Sequence, residues 1–181
     1  MSGQQYKIVI TGTMGSGKTT AISAISGVKT ISTDVRTSNA GESNIKPTTT
    51  AAMDYGELVL DEGEVLRLYG TPGQERFEYM WGILARGALG LIVLVDNSRA
   101  DPLADAEMYL NNFAELIANT GAVIGVGRLD THPAPGLDDY SEMLMRRDLA
   151  IPVLSVDVRK RDDVMQMLDA LLSTLEANID E

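Results

Sequence analysis

The sequence predicts an α/β fold of three layers, in which a six-stranded, mostly parallel sheet carries helices on both faces. Apolar, β-rich runs alternate with helical patterns along the chain, which is typical of parallel sheets. Residues 91–95 form a continuous apolar run, as expected of a central strand that is buried on both faces. The length of 181 residues fits a single domain spanning residues 1–181.

Runs of apolar and β-branched residues predict the strands. They cover residues 6–10, 53–60, 65–69, 89–96, 123–126 and 151–156. The segment Asp61-Glu62-Gly63-Glu64 between the second and third runs is typical of a hairpin turn, so these two strands should pair antiparallel. We therefore expect one antiparallel strand, at an edge of the sheet.

Helical patterns cover residues 18–26, 75–86, 102–119, 137–146 and 162–179. In the last of these, apolar side chains recur at spacings of three and four and predict one face packed on the sheet. They are Val164, Met167, Leu168, Leu171, Leu172 and Leu175. Residues 27–50 have no periodicity and are rich in Ser, Thr and Asn, which indicates a long loop with a functional or mobile role.

Composition and charge exclude several classes of function. The net charge of −11 disfavours nonspecific binding to nucleic acid or to anionic membranes. The chain has no cysteine for a disulfide or a lipid anchor, and Ser2 stands where myristoylation needs glycine. No signal peptide is evident, and the apolar stretch at 88–95 is too short to cross a membrane. We expect a cytoplasmic protein without a membrane anchor.

A glycine-rich segment behind the first strand predicts a phosphate-binding loop at residues 12–19. It fits the pattern G-x-x-x-x-G-K-[ST], in which glycines let backbone N–H groups converge on phosphate oxygens. Lys18 would reach the β- and γ-phosphates, and the Thr19 hydroxyl would bind Mg²⁺. The following helix would add the positive end of its dipole. The predicted phosphate-binding residues are Gly12, Thr13, Met14, Gly15, Ser16, Gly17, Lys18, Thr19 and Thr20. The alternative is a glycine-rich turn that only joins a strand to a helix.

A second motif runs from Tyr69 through Gly70-Thr71-Pro72-Gly73-Gln74 to Glu75-Arg76-Phe77, and Ala85-Arg86-Gly87-Ala88 follows it. This motif resembles the switch II segment of Ras-like small GTPases, most strongly that of the Rab type. Thr50-Ala51-Ala52-Met53-Asp54-Tyr55 is similar to the end of switch I. The form Gly-Thr-Pro-Gly-Gln is most similar to prokaryotic members that are often encoded beside roadblock-type regulators. The resemblance covers nearly the whole chain and implies a small G-protein fold.

The resemblance implies roles in catalysis and metal binding, with switch I at about 27–50 and switch II at about 70–82. Thr50 would bind Mg²⁺ together with Thr19, and Thr48 and Thr49 are alternatives for that role. The Gly73 N–H would bond the γ-phosphate, and Gln74 would orient the attacking water. The implied catalytic residues are Gln74, Lys18 and Thr50. A polar residue at a helix start is the alternative reading of Gln74.

The resemblance also implies a guanine site after the fifth and sixth predicted strands. Gly127-Arg128-Leu129-Asp130 stands where the family carries Asn-Lys-x-Asp. The Asp130 carboxylate would accept the N1–H and N2–H of guanine, and the Arg128 guanidinium would stack on the base. Ser155, Val156 and Asp157 are similar to the loop that backs guanine with its amides. Asp130 as a cap or turn residue is the alternative.

Three residues depart from the family's pattern. Gly70 replaces an aspartate that holds Mg²⁺ through a water, so either Mg²⁺ binding would be weaker or the water shell of the ion would shift to another carboxylate. Gly127 replaces the asparagine that reads guanine and ties loops together, which leaves guanine selectivity mainly to Asp130. Met14 puts a long side chain at a usually small position, where it would crowd Gln74 or an incoming arginine finger, so we expect slow intrinsic hydrolysis.

Further candidates lie in and near the predicted switches. Arg36 is either an internal arginine finger or a solvated loop residue, and the single histidine, His132, is expected at the surface. Residues 76–81 concentrate aromatic side chains, of which we expect about half in the core and the rest in a partner surface. Trp81 is the expected reporter of the nucleotide state.

These residues predict a GTP/GDP-binding molecular switch that hydrolyses GTP with Mg²⁺, slowly without an activating partner. A roadblock-type regulator or another exchange or activating protein, and an effector at switch I and switch II, are the expected partners. The alternatives are a nucleotide-binding scaffold without turnover and a P-loop kinase acting on a small metabolite.

Overall fold

A computed structural model describes residues 5–37 and 49–179. The strands are β1 (Gln5–Gly12), β2 (Ile31–Thr37), β3 (Thr49–Val59), β4 (Val65–Gly70), β5 (Gly90–Asp96), β6 (Ala122–Gly127) and β7 (Val153–Ser155). The helices are α1 (Lys18–Ile25), α2 (Glu78–Ala85), α3 (Pro102–Asn112), α4 (Ala114–Asn119), α5 (Leu137–Arg146) and α6 (Arg161–Ile179). Short 3₁₀ turns lie at Asp61–Gly63 and Glu75–Phe77.

The strands form one seven-stranded sheet in the order β2-β3-β4-β1-β5-β6-β7. Strands β4, β1, β5, β6 and β7 pair parallel, whereas β3 pairs antiparallel with both β2 and β4. The predicted α/β class and mostly parallel sheet are confirmed, and so is the hairpin between β3 and β4. The predicted count of six strands is one short, and the antiparallel strand β3 lies inside the sheet because β2 covers its outer side.

Strand β2 lies in the segment that the sequence indicated as a loop. Its backbone pairs with β3 from Ile31 opposite Tyr55 to Thr37 opposite Thr49. The Ser- and Thr-containing sequence shows no apolar alternation, because an edge strand gains its stability mainly from backbone hydrogen bonds to one neighbour. Residues 38–48, with Thr48, lie outside the described residues.

The helices match the predicted segments, with two subdivisions. The segment predicted at 75–86 is a 3₁₀ turn followed by α2, and the segment at 102–119 is divided at the buried Phe113 into α3 and α4. Helix α5 has the predicted bounds, and α6 begins one residue earlier than predicted. None of the described helices is both long and apolar enough to cross a membrane.

The core has one layer on each face of the sheet. Helices α1 and α6 cover one face, and α2 to α5 cover the other. Every residue of β5 is buried, which confirms the predicted central strand. In α6, Val164, Met167, Leu168 and Leu171 pack on the sheet as predicted, whereas Leu172 faces solvent. The sheet thereby holds the loops at the carboxyl ends of β1, β4, β5, β6 and β7 along one edge.

Candidate nucleotide-binding site

A cavity of about 610 Å³ opens at the carboxyl ends of β5, β6 and β7, next to the phosphate loop. Such a volume lies in the range of small-molecule and cofactor sites. Gly15, Ser16, Gly17 and Thr20 line one side. The residues predicted to bind guanine, Arg128, Asp130, Ser155, Val156 and Asp157, line the other side. Ligands of open α/β sheets bind at this edge, so the position of the cavity agrees with a nucleotide site.

The phosphate loop has a backbone that requires glycine at defined points. Gly12, Gly15 and Gly17 have φ of 151°, 82° and 98°, values that other residues rarely adopt. A Cβ on Gly12 would also lie 2.3 Å from the Leu94 carbonyl oxygen, and a Cβ on Gly17 would lie 2.6 Å from Val158 Cγ2. These glycines therefore fix the shape of the loop between β1 and α1.

The Lys18 ammonium is buried beneath this loop. Its Nζ donates hydrogen bonds to the carbonyl oxygens of Gly12, at 2.7 Å, and Thr13, at 2.8 Å. Burial lowers the pKa of Lys18 to about 8, and the Asp54 carboxylate opposes that shift. A negatively charged phosphate at this point would favour the protonated lysine.

Gly73 lies directly against the phosphate loop. A Cβ at this position would lie 2.5 Å from the Met14 backbone nitrogen and 2.9 Å from Lys18 Nζ. Because the backbone atom of Met14 cannot give way easily, a larger residue would separate the 70–82 segment from the loop. The structure thus brings Gly73 to the phosphate-binding residues.

Gln74 follows Gly73 and contacts Met14. Its Nε2 lies 3.5 Å from Met14 Sδ, and its Oε1 accepts a hydrogen bond of 2.6 Å from Arg76 Nε. The Met14 side chain is 65% exposed. Met14 and Gln74 are thus in contact, and crowding that slows hydrolysis stays a prediction.

Thr19 begins α1 with Lys18 and points its hydroxyl toward β3. Thr19 Oγ1 donates a hydrogen bond of 2.5 Å to Asp54 Oδ2, and Ser32 Oγ donates one of 2.7 Å to Asp54 Oδ1. Asp54 is only 4% exposed. Hydroxyl and carboxylate oxygens are the ligands that Mg²⁺ prefers, so this pair fits the ion.

The described residues contain no group of three His, Cys, Asp or Glu side chains that would hold a metal alone. Asp54 entered the sequence analysis only as a spacing marker in switch I. The replacement at Gly70 was the signal that another carboxylate should be sought.

The structure places Thr50 away from the hydrogen bond between Thr19 and Asp54. Its backbone belongs to β3 and pairs with Arg36 of β2. Thr50 lies four positions before Asp54 on the strand, a rise of about 13 Å between their Cα atoms. The side chains of Thr50 and Arg36 lie outside the part of the chain that the structure describes in full, so the arginine-finger hypothesis stays a prediction.

The aromatic residues of the 76–81 segment divide between core and surface. Trp81 is 1% exposed, and its Nε1 donates a 2.8 Å hydrogen bond to the Pro72 carbonyl oxygen. Its ring packs on Tyr109 and Phe113, with centroid distances of 4.9 and 6.0 Å. Phe77 is also buried, whereas Tyr79 is 65% exposed. Trp81 is thus a core residue that holds Pro72.

On the base side of the cavity, Arg128 is held at the end of β5. Its Nη1 lies 3.1 Å from Asp96 Oδ2 and donates a 3.0 Å hydrogen bond to Ser98 Oγ. Asp130 is exposed beside it and lines the cavity. This arrangement leaves the Asp130 carboxylate accessible to a base in the cavity.

The loop after β7 has its own hydrogen bonds. Arg159 donates to both carboxylate oxygens of Asp157 at 2.8 Å and lowers the pKa of Asp157 to about 2. The Asp157 N–H donates to Asp163 Oδ2 at 2.8 Å, and the Val156 N–H donates to the Val126 carbonyl. Both amides thus have partners within the protein, and the role of this loop in backing the base stays a prediction.

An asparagine directly after β5 ties loops together near Gly127. Buried Asn97 donates from Nδ2 to the carbonyl oxygens of His132, at 2.6 Å, and Pro135, at 3.0 Å. Its Oδ1 accepts a 2.7 Å hydrogen bond from Tyr140. Asn97 therefore ties the 128–135 loop to β5, a role that the sequence analysis missed. The exposed His132 lies at the surface as expected.

Known proteins with similar sequences include GTPase relatives. The chain is 30% identical over 108 residues to an uncharacterized protein of Methanocaldococcus jannaschii, a match that covers 60% of this chain and 62% of that protein. It is 26% identical to a probable Rab-related GTPase of Acanthamoeba polyphaga mimivirus, over 62% of this chain and 48% of that protein. These two matches span less than two thirds of the relatives' lengths.

A longer match and a solved structure agree with the fold. The Ras-related protein RabC of Dictyostelium discoideum is 24% identical over 96% of this chain and 85% of its own. The G domain of the T. maritima FeoB iron transporter superposes with a TM-score of 0.60 at 16% identity, over 94% of this chain and 99% of that one. The chain therefore has the fold of a G domain.

A family model extends across most of the chain. It matches residues 29–177, from the segment after α1 into α6. The matched segment contains Gly73, Asp130 and most of the cavity lining, and the phosphate loop precedes it. With its nucleotide-binding loop and G-domain fold, the chain belongs to the family described as conserved hypothetical ATP binding protein.

Proposed function

We propose that this protein is a small GTPase switch, which binds GTP and GDP with Mg²⁺ and hydrolyses GTP to GDP and phosphate. The observation that carries the proposal is the contact of Gly73 with the phosphate loop, with Gln74 beside it. A Cβ on Gly73 would lie 2.5 Å from the Met14 nitrogen. This contact supports the proposal that the 70–82 segment binds the terminal phosphate of GTP and changes its conformation when that phosphate is lost.

Lys18 and the loop amides would bind the phosphates. The Lys18 ammonium now bonds the carbonyls of Gly12 and Thr13. Phosphate oxygens are stronger acceptors for a charged donor, so a bound nucleotide would draw the ammonium toward the β- and γ-phosphates. The first turn of α1 adds N–H groups and the positive end of its dipole.

Hydrolysis would depend on positioning of the attacking water. Gln74 would hold the water in line with the γ-phosphorus, where its oxygen bonds to phosphorus as the bond to the β–γ bridging oxygen breaks. The water proton passes to the released phosphate, and GDP keeps the bridging oxygen. Mg²⁺, held by Thr19 and in the GTP state by Thr50, would neutralise charge on the β- and γ-phosphate oxygens.

The long 27–50 segment would be the first switch. Thr50 is now part of β3 and pairs with Arg36. For Thr50 to bind Mg²⁺ and the γ-phosphate, the β2–β3 pairing at this end has to open. We therefore propose that GTP favours a conformation in which this end of the strand pair is released, and GDP favours the paired form.

The base site supports guanine over adenine. The exposed Asp130 carboxylate in the cavity can accept two N–H groups from guanine, and adenine does not present that pair. Two relatives carry GTPase-type names, whereas the family's description refers to ATP. We propose GTP as the preferred nucleotide and Arg128 as a stacking residue beside the base.

One observation favours a second candidate, a nucleotide-gated scaffold with little turnover. The Gln74 side chain is engaged by Met14 and Arg76 rather than free to hold a water. If a bound nucleotide did not release these contacts, GTP would remain intact. Slow intrinsic hydrolysis follows from the same contacts in the GTPase reading.

Partners would bind at the switches. Tyr79 and Ile83 expose apolar surface on α2, directly after the 70–77 segment. We propose that an effector reads this surface with the first switch, and that a roadblock-type or other regulator accelerates exchange or hydrolysis. A cytoplasmic location follows from the supply of GTP and Mg²⁺ in that compartment.

Single-turnover release of γ-phosphate tests this proposal. We expect release from GTP and not from ATP, and we expect Gln74→Leu to abolish it. Gln166→Leu, on the exposed side of α6, is the matched control and should keep the wild-type rate. Tight GTP binding without release, and no effect of Gln74→Leu, would favour the scaffold.

A further inference from the structure

The most buried carboxylate at the phosphate loop belongs to Asp54. It accepts the hydroxyl hydrogens of Thr19, at 2.5 Å, and Ser32, at 2.7 Å. A charged carboxylate that is 4% exposed is costly unless it is paired, and no ion pair joins Asp54 to any described side chain. The two neutral hydroxyls do not neutralise the negative charge of the Asp54 carboxylate. This charge can therefore attract a cation.

The Asp54 side chain lies next to the backbone of Gly70. They stand opposite each other in the β3–β4 register. A Cβ added to Gly70 would lie 3.1 Å from Asp54 Cβ and 3.3 Å from Asp54 Oδ2. A Cβ at position 70 would therefore require the Asp54 side chain to shift by a few tenths of an ångström. The glycine on β4 makes room for the carboxylate from β3.

The Thr19 hydroxyl connects this carboxylate to the predicted metal. Because Thr19 donates its hydrogen to Asp54, both lone pairs of its oxygen stay free for a cation. A partner that fixes the orientation of a metal ligand in this way typically raises metal affinity. Thr19 directly follows Lys18 at the start of α1, so the Asp54 carboxylate lies at the phosphate end of the site.

We propose that Asp54 is the carboxylate of the magnesium site. From its place on β3, Asp54 would hold the Thr19 hydroxyl and the other ligands of the ion. In Ras-like proteins, an aspartate at the position of Gly70 has this role. The inference rests on the proposed binding of a Mg²⁺-nucleotide. Asp54 is a positioning residue in this account, and Ser32 orients it.

The test is the rate at which fluorescent N-methylanthraniloyl-GDP leaves the protein, measured with Mg²⁺ and with excess EDTA. The wild-type protein should release the nucleotide more slowly with Mg²⁺. In Asp54→Asn, Mg²⁺ affinity should fall by about 10- to 100-fold, so most of the slowing is lost while the EDTA rate is unchanged. Mn²⁺ titration of the GDP complex, followed by electron paramagnetic resonance, should show the same weakening.

Two variants keep the test decisive. Glu57→Gln removes a carboxylate from the same strand, three residues away, and should leave the effect of Mg²⁺ intact. The exchange Asp54→Gly with Gly70→Asp moves the carboxylate to β4 and should restore the slowing by Mg²⁺. If circular dichroism shows that Asp54→Asn is unfolded, the exchanged variant alone decides the question. The measured quantity is again the ratio of the release rates with EDTA and with Mg²⁺.

The outcomes separate this inference from the proposed function. An Asp54→Asn protein that keeps the wild-type Mg²⁺ ratio and Mn²⁺ affinity would overturn the inference alone. A folded exchange variant without an effect of Mg²⁺ would also contradict it. A wild-type protein that binds no labelled GDP would overturn the proposed function, and the inference with it.

Discussion

Lys18 is a buried, charged residue at the phosphate loop. Its buried ammonium donates hydrogen bonds to the carbonyl oxygens of Gly12 and Thr13. Burial outweighs the attraction of Asp54, so the pKa falls to about 8. The loop therefore holds its charge at a cost to stability that a bound phosphate would relieve.

This cost predicts a pH dependence of stability. The folded-state pKa of Lys18 lies below the value of 10.5 for an exposed lysine, so the unfolded chain holds more protons between about pH 8 and 10.5. The stability of the nucleotide-free wild type, relative to Lys18→Met, should thus rise across this window by about 3 kcal/mol. Urea denaturation of both proteins at pH 7 and pH 10 measures the change. An equal difference at both pH values would contradict the buried charge.

Trp81 predicts a second effect at the residue scale. Trp81→Phe removes the hydrogen bond to the Pro72 carbonyl and part of the contact with Tyr109 and Phe113. We expect a loss of about 2 kcal/mol in the free energy of unfolding. The exposed Tyr79→Phe is the matched control and should change stability by less than about 0.5 kcal/mol. Equal effects in denaturant titrations would disprove the core role of Trp81.

At the scale of elements, β3 links the two switches to α1. It pairs with β2 on one side and with β4 on the other, and Gly56 lets α1 approach its face. The end of β3 that carries Thr50 would belong to the proposed first switch, and the Asp54 end would face the proposed magnesium site. A movement of one strand would therefore change both.

The approach of α1 to β3 predicts opposite effects of two glycine substitutions. A Cβ on Gly56 would lie 2.5 Å from Ile22 Cγ2, whereas a Cβ on Gly82 in α2 would meet nothing within 4 Å. Gly56→Ala should destabilise the protein by about 1–3 kcal/mol through overpacking. Gly82→Ala should stabilise it by about 0.5–1 kcal/mol through helix propensity. Thermal unfolding of both variants measures the sign of each change in stability. Changes of the same sign in both variants would contradict the packing of α1 on Gly56.

The loop held by Asn97 gives another prediction at this scale. Asn97→Ala removes three hydrogen bonds that tie the 128–135 loop and Tyr140 to β5. We expect amide hydrogen exchange in residues 128–135 to accelerate by about tenfold or more, since each lost buried bond costs about 1 kcal/mol. Asn112→Ala, an exposed asparagine of α3, should leave the exchange unchanged. Protection that persists in Asn97→Ala would show that other contacts hold the loop.

At the scale of the molecule, the sequence predicted those elements that have a local pattern of apolar residues or glycines. The apolar run of β5 and the glycines of the phosphate loop specify their structures locally, and both were found as predicted. Strand β2 was missed because an edge strand needs no apolar alternation. Asp54 and Asn97 were missed because their roles depend on which strands are neighbours in space, a property of the topology that spacing along the chain does not show.

The whole molecule combines a strongly acidic surface with one site for an anionic ligand. The net charge of −11 repels nucleotides at long range, so affinity has to come from the loop amides, Lys18 and Mg²⁺ at short range. Removal of Mg²⁺ should for this reason weaken nucleotide binding more than a change of salt does.

Displacement of N-methylanthraniloyl-GDP by unlabelled nucleotides tests the central claim most directly. With Mg²⁺ present, GTP and GDP should displace the label at concentrations at least about 100-fold lower than ATP, because only guanine gives Asp130 two N–H groups to accept. Equal displacement by ATP, or a preference for ATP, would contradict a guanine-nucleotide switch and would favour an ATP-binding function for this site.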